Sequence, residues 1–161
     1  MDQEALLDLL AHNGRASPNE LAELLGAEAS EVAALIERLE AAGVILGYTA
    51  VVDPEKRSPH DVAALIEVRI TPERGGGFDR IAQRIAQFEQ VRSCYLMSGG
   101  YDLAVMVEGR DLREVARFVA EKLSTLEGVL STATHFQLKV YKESGILCQR
   151  REEPGRLPVT P

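Results

Sequence analysis

Gly14-Arg15-Ala16-Ser17-Pro18-Asn19-Glu20-Leu21-Ala22-Glu23-Leu24-Leu25-Gly26 is a helix with both of its ends written into it. Ser17 and Glu20 have the spacing of a capping box, and Pro18 stands at the first helical position, where its missing N–H costs nothing. Leu21, Leu24 and Leu25 give it an apolar face, and Gly26 supplies the turn that ends it. Upstream, a helix is expected from about Asp2, a good N-cap, to about His12, with Leu6, Leu7, Leu9 and Leu10 as its stripe. Downstream, Val32, Leu35, Ile36 and Leu39 recur at helical spacing until Gly43. Helices this short are unstable alone and must pack on one another. Residues 44–52 then read as extended, with Gly47 a turn or bulge. Short helix, glycine turn, longer helix, glycine stop and β-branched strand is the layout of a winged helix-turn-helix, a module that lays one helix in the DNA major groove.

The charge distribution opposes that use. Net charge is −7, and residues 1–47 alone hold nine acids against two bases, Arg15 and Arg38. The remaining sixteen acids and sixteen bases cancel, so the whole excess lies on the DNA-binding module. An acidic face aids solubility, but turned toward phosphates it weakens binding. The N-terminus has no apolar run long enough for a signal peptide or membrane span, which predicts a cytoplasmic protein. Cys94 and Cys148 form no Cys-x-x-Cys pair, and His12, His60 and His135 lack ligand spacing, so neither a disulfide framework nor a metal or cofactor site is expected.

Asp53-Pro-Glu-Lys-Arg-Ser-Pro-His60 is polar and carries prolines, which places a domain boundary there. The rhythm then changes. Residues 62–70 alternate as a strand, residues 71–77 form a loop ending in three glycines, and residues 78–88 form a helix burying Phe78, Ile81, Ile85 and Phe88. Residues 91–98 and 103–109 are strands around the turn Gly99-Gly100-Tyr101-Asp102. Asp111 caps a helix running to Leu126, with Val115, Phe118, Val119 and Leu123 buried, and residues 129–141 form a long last strand. The fold class is therefore α+β: residues 1–53 a winged helix-turn-helix, 54–61 a linker, 62–142 a ferredoxin-like βαββαβ unit, and 143–161 a tail. Strand 103–107 is apolar on both faces, and one face has nothing to cover it within the chain, which predicts a homodimer.

Three stretches together carry a resemblance. They are Gly14-Arg15-Ala16-Ser17, then Leu39-Glu-Ala-Ala-Gly-Val-Ile-Leu-Gly-Tyr-Thr-Ala50, then Ser98-Gly-Gly-Tyr-Asp-Leu103 followed by Leu126-Glu-Gly-Val-Leu-Ser-Thr132. In this order and separation, residues 1–142 resemble transcription regulators of the leucine-responsive/asparagine-regulator (Lrp/AsnC) family. The resemblance implies a DNA-binding unit joined to a ligand-sensing unit that pairs sheet-to-sheet. It also implies dimers that assemble further and an effector, commonly an amino acid.

The positions aligned with the family's recognition face are Ala33, Ala34, Leu35, Glu37 and Arg38, of which only Arg38 is basic. Binding to double-stranded DNA would then use small side chains, with phosphates held by Arg15, Lys56, Arg57 and the helix start at Ser30. The competing reading is a sensor or assembly partner whose DNA binding has weakened. Gly99 and Gly100 let a backbone approach a carboxylate, and Asp102 is suited to an ammonium group. By residue types alone a plain hairpin turn is the better reading; the resemblance reverses this and makes Gly99, Gly100, Tyr101 and Asp102 the effector loop. Gly100 stands where many members carry an acid. Thr132 and Thr134 share one face of the last strand and are candidates for the same pocket. No carboxylate pair, nucleophile motif or phosphate loop suggests catalysis. The one enzyme class sharing the layout, tetrapyrrole decarboxylases, relies on histidines this chain does not cluster.

Overall fold

Asp2 accepts the Glu4 N–H at 3.0 Å and starts α1 (Gln3–His12) in the computed structural model, which describes residues 2–57, 61–71 and 77–148. The capping box of α2 (Pro18–Leu25) is complete: Ser17 Oγ accepts the Glu20 N–H at 3.3 Å, and Glu20 Oε2 accepts the Ser17 N–H at 2.7 Å. Gly26 takes the left-handed conformation (φ 62°) that ends the helix, a position only glycine adopts without strain. After it comes α3 (Ala29–Ala41). Leu6, Leu21 and Val32 are fully buried between the three helices, with Leu10, Ala22, Leu35 and Leu39 around them. Each such leucine or valine contributes about 1.5–3 kcal/mol. Leu24, expected on the buried face, is 69% exposed. Leu21, Ala22 and Leu25 define the arc that packs, and Leu24 falls outside it.

Residues 44–52 carry no regular strand. The Val44 and Ile45 N–H groups both donate to the Leu39 carbonyl, at 2.9 and 3.2 Å, and close the end of α3. Beyond them Leu46, Tyr48 and Val52 are exposed, with the Tyr48 hydroxyl donating to Glu40 at 2.9 Å. An extended segment becomes a strand only beside a partner, and none pairs with it among the described residues.

The chain divides into two units, Met1–Val51 and Val52–Pro161. The second opens with one helical turn, α4 (Pro54–Arg57), inside the expected linker. Four strands follow, β1 (Val62–Ile70), β2 (Val91–Leu96), β3 (Leu103–Gly109) and β4 (Val129–Phe136), all antiparallel in the order β2-β3-β1-β4. Between them run α5 (Asp79–Ala86) and α6 (Leu112–Phe118), the latter continued by a π-helical stretch, Val119–Leu123. This is the βαββαβ arrangement. Ala64, Ile66, Val68, Leu103, Val105 and Val107 face the helices and bury Ile81, Ile85, Val115, Phe118 and Leu123. Cys94 is half-buried on the same side, and burial pushes its thiol up. Leu65, Glu67, Ala104, Met106, Ala133 and His135 lie in register on the other face, away from the helix-packed core of this unit.

The last strand is shorter than the sequence suggests, and Lys142, the expected end of the unit, joins residues assigned to the tail in a small hairpin, β5 (Lys142–Glu143) with β6 (Ile146–Leu147). Residues 58–60 of the linker, with His60, residues 72–76 of the glycine loop, and the tail beyond residue 148 lie outside the described residues.

One glycine is favoured by both its backbone and its packing. Gly128 has φ 91°, and a Cβ there would lie 2.5 Å from Cδ1 of the buried Ile81. Gly128→Ala is expected to destabilise the second unit by about 2–3 kcal/mol, from the left-handed backbone plus overpacking. A lower urea midpoint with an unchanged m-value would show it; an unchanged midpoint would mean that Ile81 simply moves aside.

Candidate functional site

The outward face of α3 follows from its buried one. With Val32, Leu35 and Leu39 in the core, the row opposite them is Ser30, Ala34, Glu37 and Ala41, all exposed. Leu35 belongs to the core and not to this face. Ala33 is half-buried at one flank and Arg38 is exposed at the other. Among the described residues Glu37 and Arg38 take part in no ion pair or side-chain hydrogen bond, whereas Glu40 on the opposite flank is held by Tyr48. Arg15 is exposed just before α2. The Ser17 hydrogen bonds, and more weakly the Arg15 charge, hold the Glu20 carboxyl below the ordinary carboxylate range. Lys56 and Arg57 stand on α4 of the second unit, where Lys56 meets Asp53 at 3.6 Å.

The turn between β2 and β3 is fixed by Asp102. Its N–H donates to the Val68 carbonyl at 3.0 Å, and its carbonyl accepts the Met97 N–H at 2.8 Å. Its carboxylate oxygen Oδ2 accepts the Ile70 N–H at 2.8 Å, where a register shift between Arg69 and Ile70 interrupts the β1–β4 ladder. Asp102 therefore has a structural task, and its second carboxylate oxygen has no hydrogen-bond partner among the described residues. Gly99 and Gly100 are exposed, and a Cβ on either would meet nothing within 4 Å. Neither has a positive φ, so the fold of the single chain does not require glycine at either position. Tyr101 is half-buried.

Thr132 and Thr134 do share one face, but it is the face toward the helices, since they pair with the buried Val68 and Ile66. Thr132 Oγ1 lies 3.2 Å from Ser124 Oγ, just past the π-helical stretch. The structure thus brings Thr132 to the end of the sheet where the loop lies, with β1 between them, and leaves Thr134 two pairs further in. Ser124 escaped sequence reasoning because nothing local to it signals a partner on β4.

Of the histidines, His12 Nδ1 bonds the Asp8 carbonyl at 2.7 Å, and His135 lies 3.3 Å from Glu67 on the open sheet face. A shallow cleft of about 290 Å³ is lined by the Arg92–Glu108 and Arg110–Glu114 pairs, at 2.8 and 3.1 Å. Its cations are already neutralised by their own carboxylates. Among the described residues no three His, Cys, Asp or Glu side chains cluster as metal ligands, and no helix is long and apolar enough to cross a membrane.

Comparison with known proteins covers both units. Residues 63–147 match the Lrp/AsnC ligand-binding domain, and residues 3–45 match a winged helix-turn-helix DNA-binding domain. Over 157 residues the chain is 45% identical to an HTH-type transcriptional regulator of Bacillus subtilis, YugG, covering 97% of this chain and 95% of that protein. It is 29% identical to the proline dehydrogenase transcriptional activator of Rhizobium radiobacter, across 88% of this chain and 90% of that one. Among solved structures, a transcriptional regulator of Neisseria meningitidis in complex with L-methionine superposes with a TM-score of 0.70 at 26% identity, covering 91% of this chain and 96% of the other.

Proposed function

The chain belongs to the Lrp/AsnC family of DNA-binding transcription regulators, and from that premise we propose a cytoplasmic dimer that reads DNA through α3 and binds a free amino acid at Gly99–Asp102. The observation that carries the effector assignment is the loop itself. Two exposed glycines that the fold does not need stand just before a half-buried carboxylate, one of whose oxygens has no partner among the described residues. Backbone amides there suit the carboxylate of an amino acid, and Asp102 suits its ammonium. The relative solved with L-methionine supports the same ligand class. On the DNA side, Ser30, Ala33, Ala34 and Glu37 present α3 to the groove, with Arg38 at its flank on a phosphate and Arg15, Lys56 and Arg57 as further phosphate contacts. Selection of genomic fragments by the purified chain at low salt, with and without an amino-acid mixture, tests both halves at once. Enriched fragments whose recovery changes with the mixture are the expected result, and no enrichment in either condition would overturn it.

Few phosphate contacts give a shallow dependence on salt. A dimer using Arg38 twice is expected to lose about two units of log–log salt slope in Arg38→Ala, at about 0.9 per contact, together with most of its affinity. Fluorescence anisotropy across a salt series measures this; an unchanged slope would place the phosphate contacts elsewhere.

One observation favours a second reading. With nine acids against two bases over residues 1–47, this chain would gain DNA affinity by joining a more basic relative in a mixed assembly. Nothing favours the tetrapyrrole-decarboxylase reading: the relatives are named as regulators, and the two described histidines sit on different units.

A further inference from the structure

We propose that Glu37 is a base-reading residue that specifies cytosine in each operator half-site. The inference rests on α3 acting as the DNA-reading helix and deepens that reading.

Along the outward row of α3, Ser30, Ala34 and Ala41 are small, and Glu37 is the one long side chain. A helix presenting this row to the groove floor lets its backbone approach closely, and Glu37 then reaches deepest. Arg38 sits at the flank, where phosphates run. The other acids of the helix differ in placement. Glu40 lies on the opposite flank, bonded to the Tyr48 hydroxyl, and Glu31 lies on Arg38's flank, seven residues before it. Glu37 alone is central, exposed and without an internal partner among the described residues.

A carboxylate only accepts hydrogen bonds, so at a base edge it needs a donor that is not flanked by acceptors on both sides. In the major groove, cytosine offers its N4 amino group next to a C–H. Adenine offers N6 between its own N7 and the O4 of the paired thymine, two acceptors that repel a carboxylate. Guanine and thymine show it acceptors. Cytosine is therefore the base that Glu37 tolerates best. The same charge is repelled by the phosphate backbone wherever no such donor is present. A residue that lowers affinity for DNA in general while accepting one base raises the ratio of specific to non-specific binding. The acidity of this helix, a handicap for affinity, serves discrimination at this position.

The test uses the full chain with random duplex libraries at low salt, comparing wild type, Glu37→Ala and Glu37→Gln. Wild type is expected to enrich a half-site with one invariant C·G pair. Changing that pair to T·A should cost wild type on the order of tenfold in affinity and should leave Glu37→Ala indifferent. Glu37→Gln should shift the preferred base to adenine, which pairs N6 and N7 with an amide. Both variants should bind unrelated DNA more tightly than wild type, with the same salt slope, because no phosphate contact has changed. An equal penalty for the C·G change in wild type and Glu37→Ala would overturn the assignment while leaving DNA binding intact. A wild type that enriches no sequence at all would overturn the DNA-reading role of α3, and this proposal with it.

Discussion

Met106→Asp is expected to convert an assembled protein into a folded monomer. Met106 is half-buried on the uncovered face of the sheet, opposite Leu65 on β1 and Ser93 on β2, and its side chain points away from the helix-facing core. In a dimer that packs sheet against sheet, two such carboxylates would be buried without partners. The basic group in the same register row, His135, is already beside Glu67. An unpaired buried charge costs about 3–5 kcal/mol. Two of them exceed about 6 kcal/mol, roughly four orders of magnitude in Kd. Because the substitution leaves Ile66, Val68, Val105 and Val107 in place, helix content and the cooperative melt should survive. Sedimentation at micromolar concentration should give dimer or larger for wild type and for Met106→Leu, and monomer for Met106→Asp. A monomeric wild type would end the idea. So would an aspartate variant that still assembles.

What was legible in the sequence was what neighbours in the chain decide. Ser17, Pro18, Glu20 and Gly26 settle α2 within ten residues, and the structure shows the capping box, the proline in the first turn and the left-handed glycine. The βαββαβ order was equally readable, because alternation and helical spacing are local patterns. Three features were not. Leu24 looks like its neighbours, and only the position of α3 decides that Ala22 packs in its stead. Residues 44–52 have strand chemistry, but a strand is a property of two segments, and no second one pairs with them among the described residues. The bond from Asp102 to Ile70 spans 32 residues and depends on a register shift that no spacing rule announces. That last bond matters most for the site, because it gives a residue chosen for ligand chemistry a structural duty as well.

Separating those two duties is the second large effect. Asp102→Ala is expected to lose ligand affinity and stability together, since it strands the Ile70 N–H at a half-buried turn at a cost of about 1–3 kcal/mol. Asp102→Asn divides them. Its amide oxygen still accepts from Ile70, while the negative charge facing the ammonium is gone. Stability near wild type is therefore expected, with amino-acid affinity falling about ten- to a hundredfold, the value of a charge-assisted hydrogen bond of about 1.5–3 kcal/mol. Gly99→Val approaches from the other side. Its Cβ meets nothing in the chain, so the melt without ligand should not move, and any loss of binding reports on the space a ligand or second copy must occupy. For wild type, an amino acid at a hundred times its Kd should stabilise the protein by about 2.7 kcal/mol, visible as a raised Tm. Calorimetry and melting across the common amino acids decide the outcome. If Asp102→Asn binds like wild type, Asp102 only staples the turn to β1. If no amino acid gives heat or stabilisation, Gly99–Asp102 is an ordinary hairpin and the unit senses something else. The effector reading stands only if the charge of Asp102 and the emptiness above Gly99 each prove necessary, because the backbone bond to Ile70 explains the first residue halfway and leaves the glycines without a cause inside the chain.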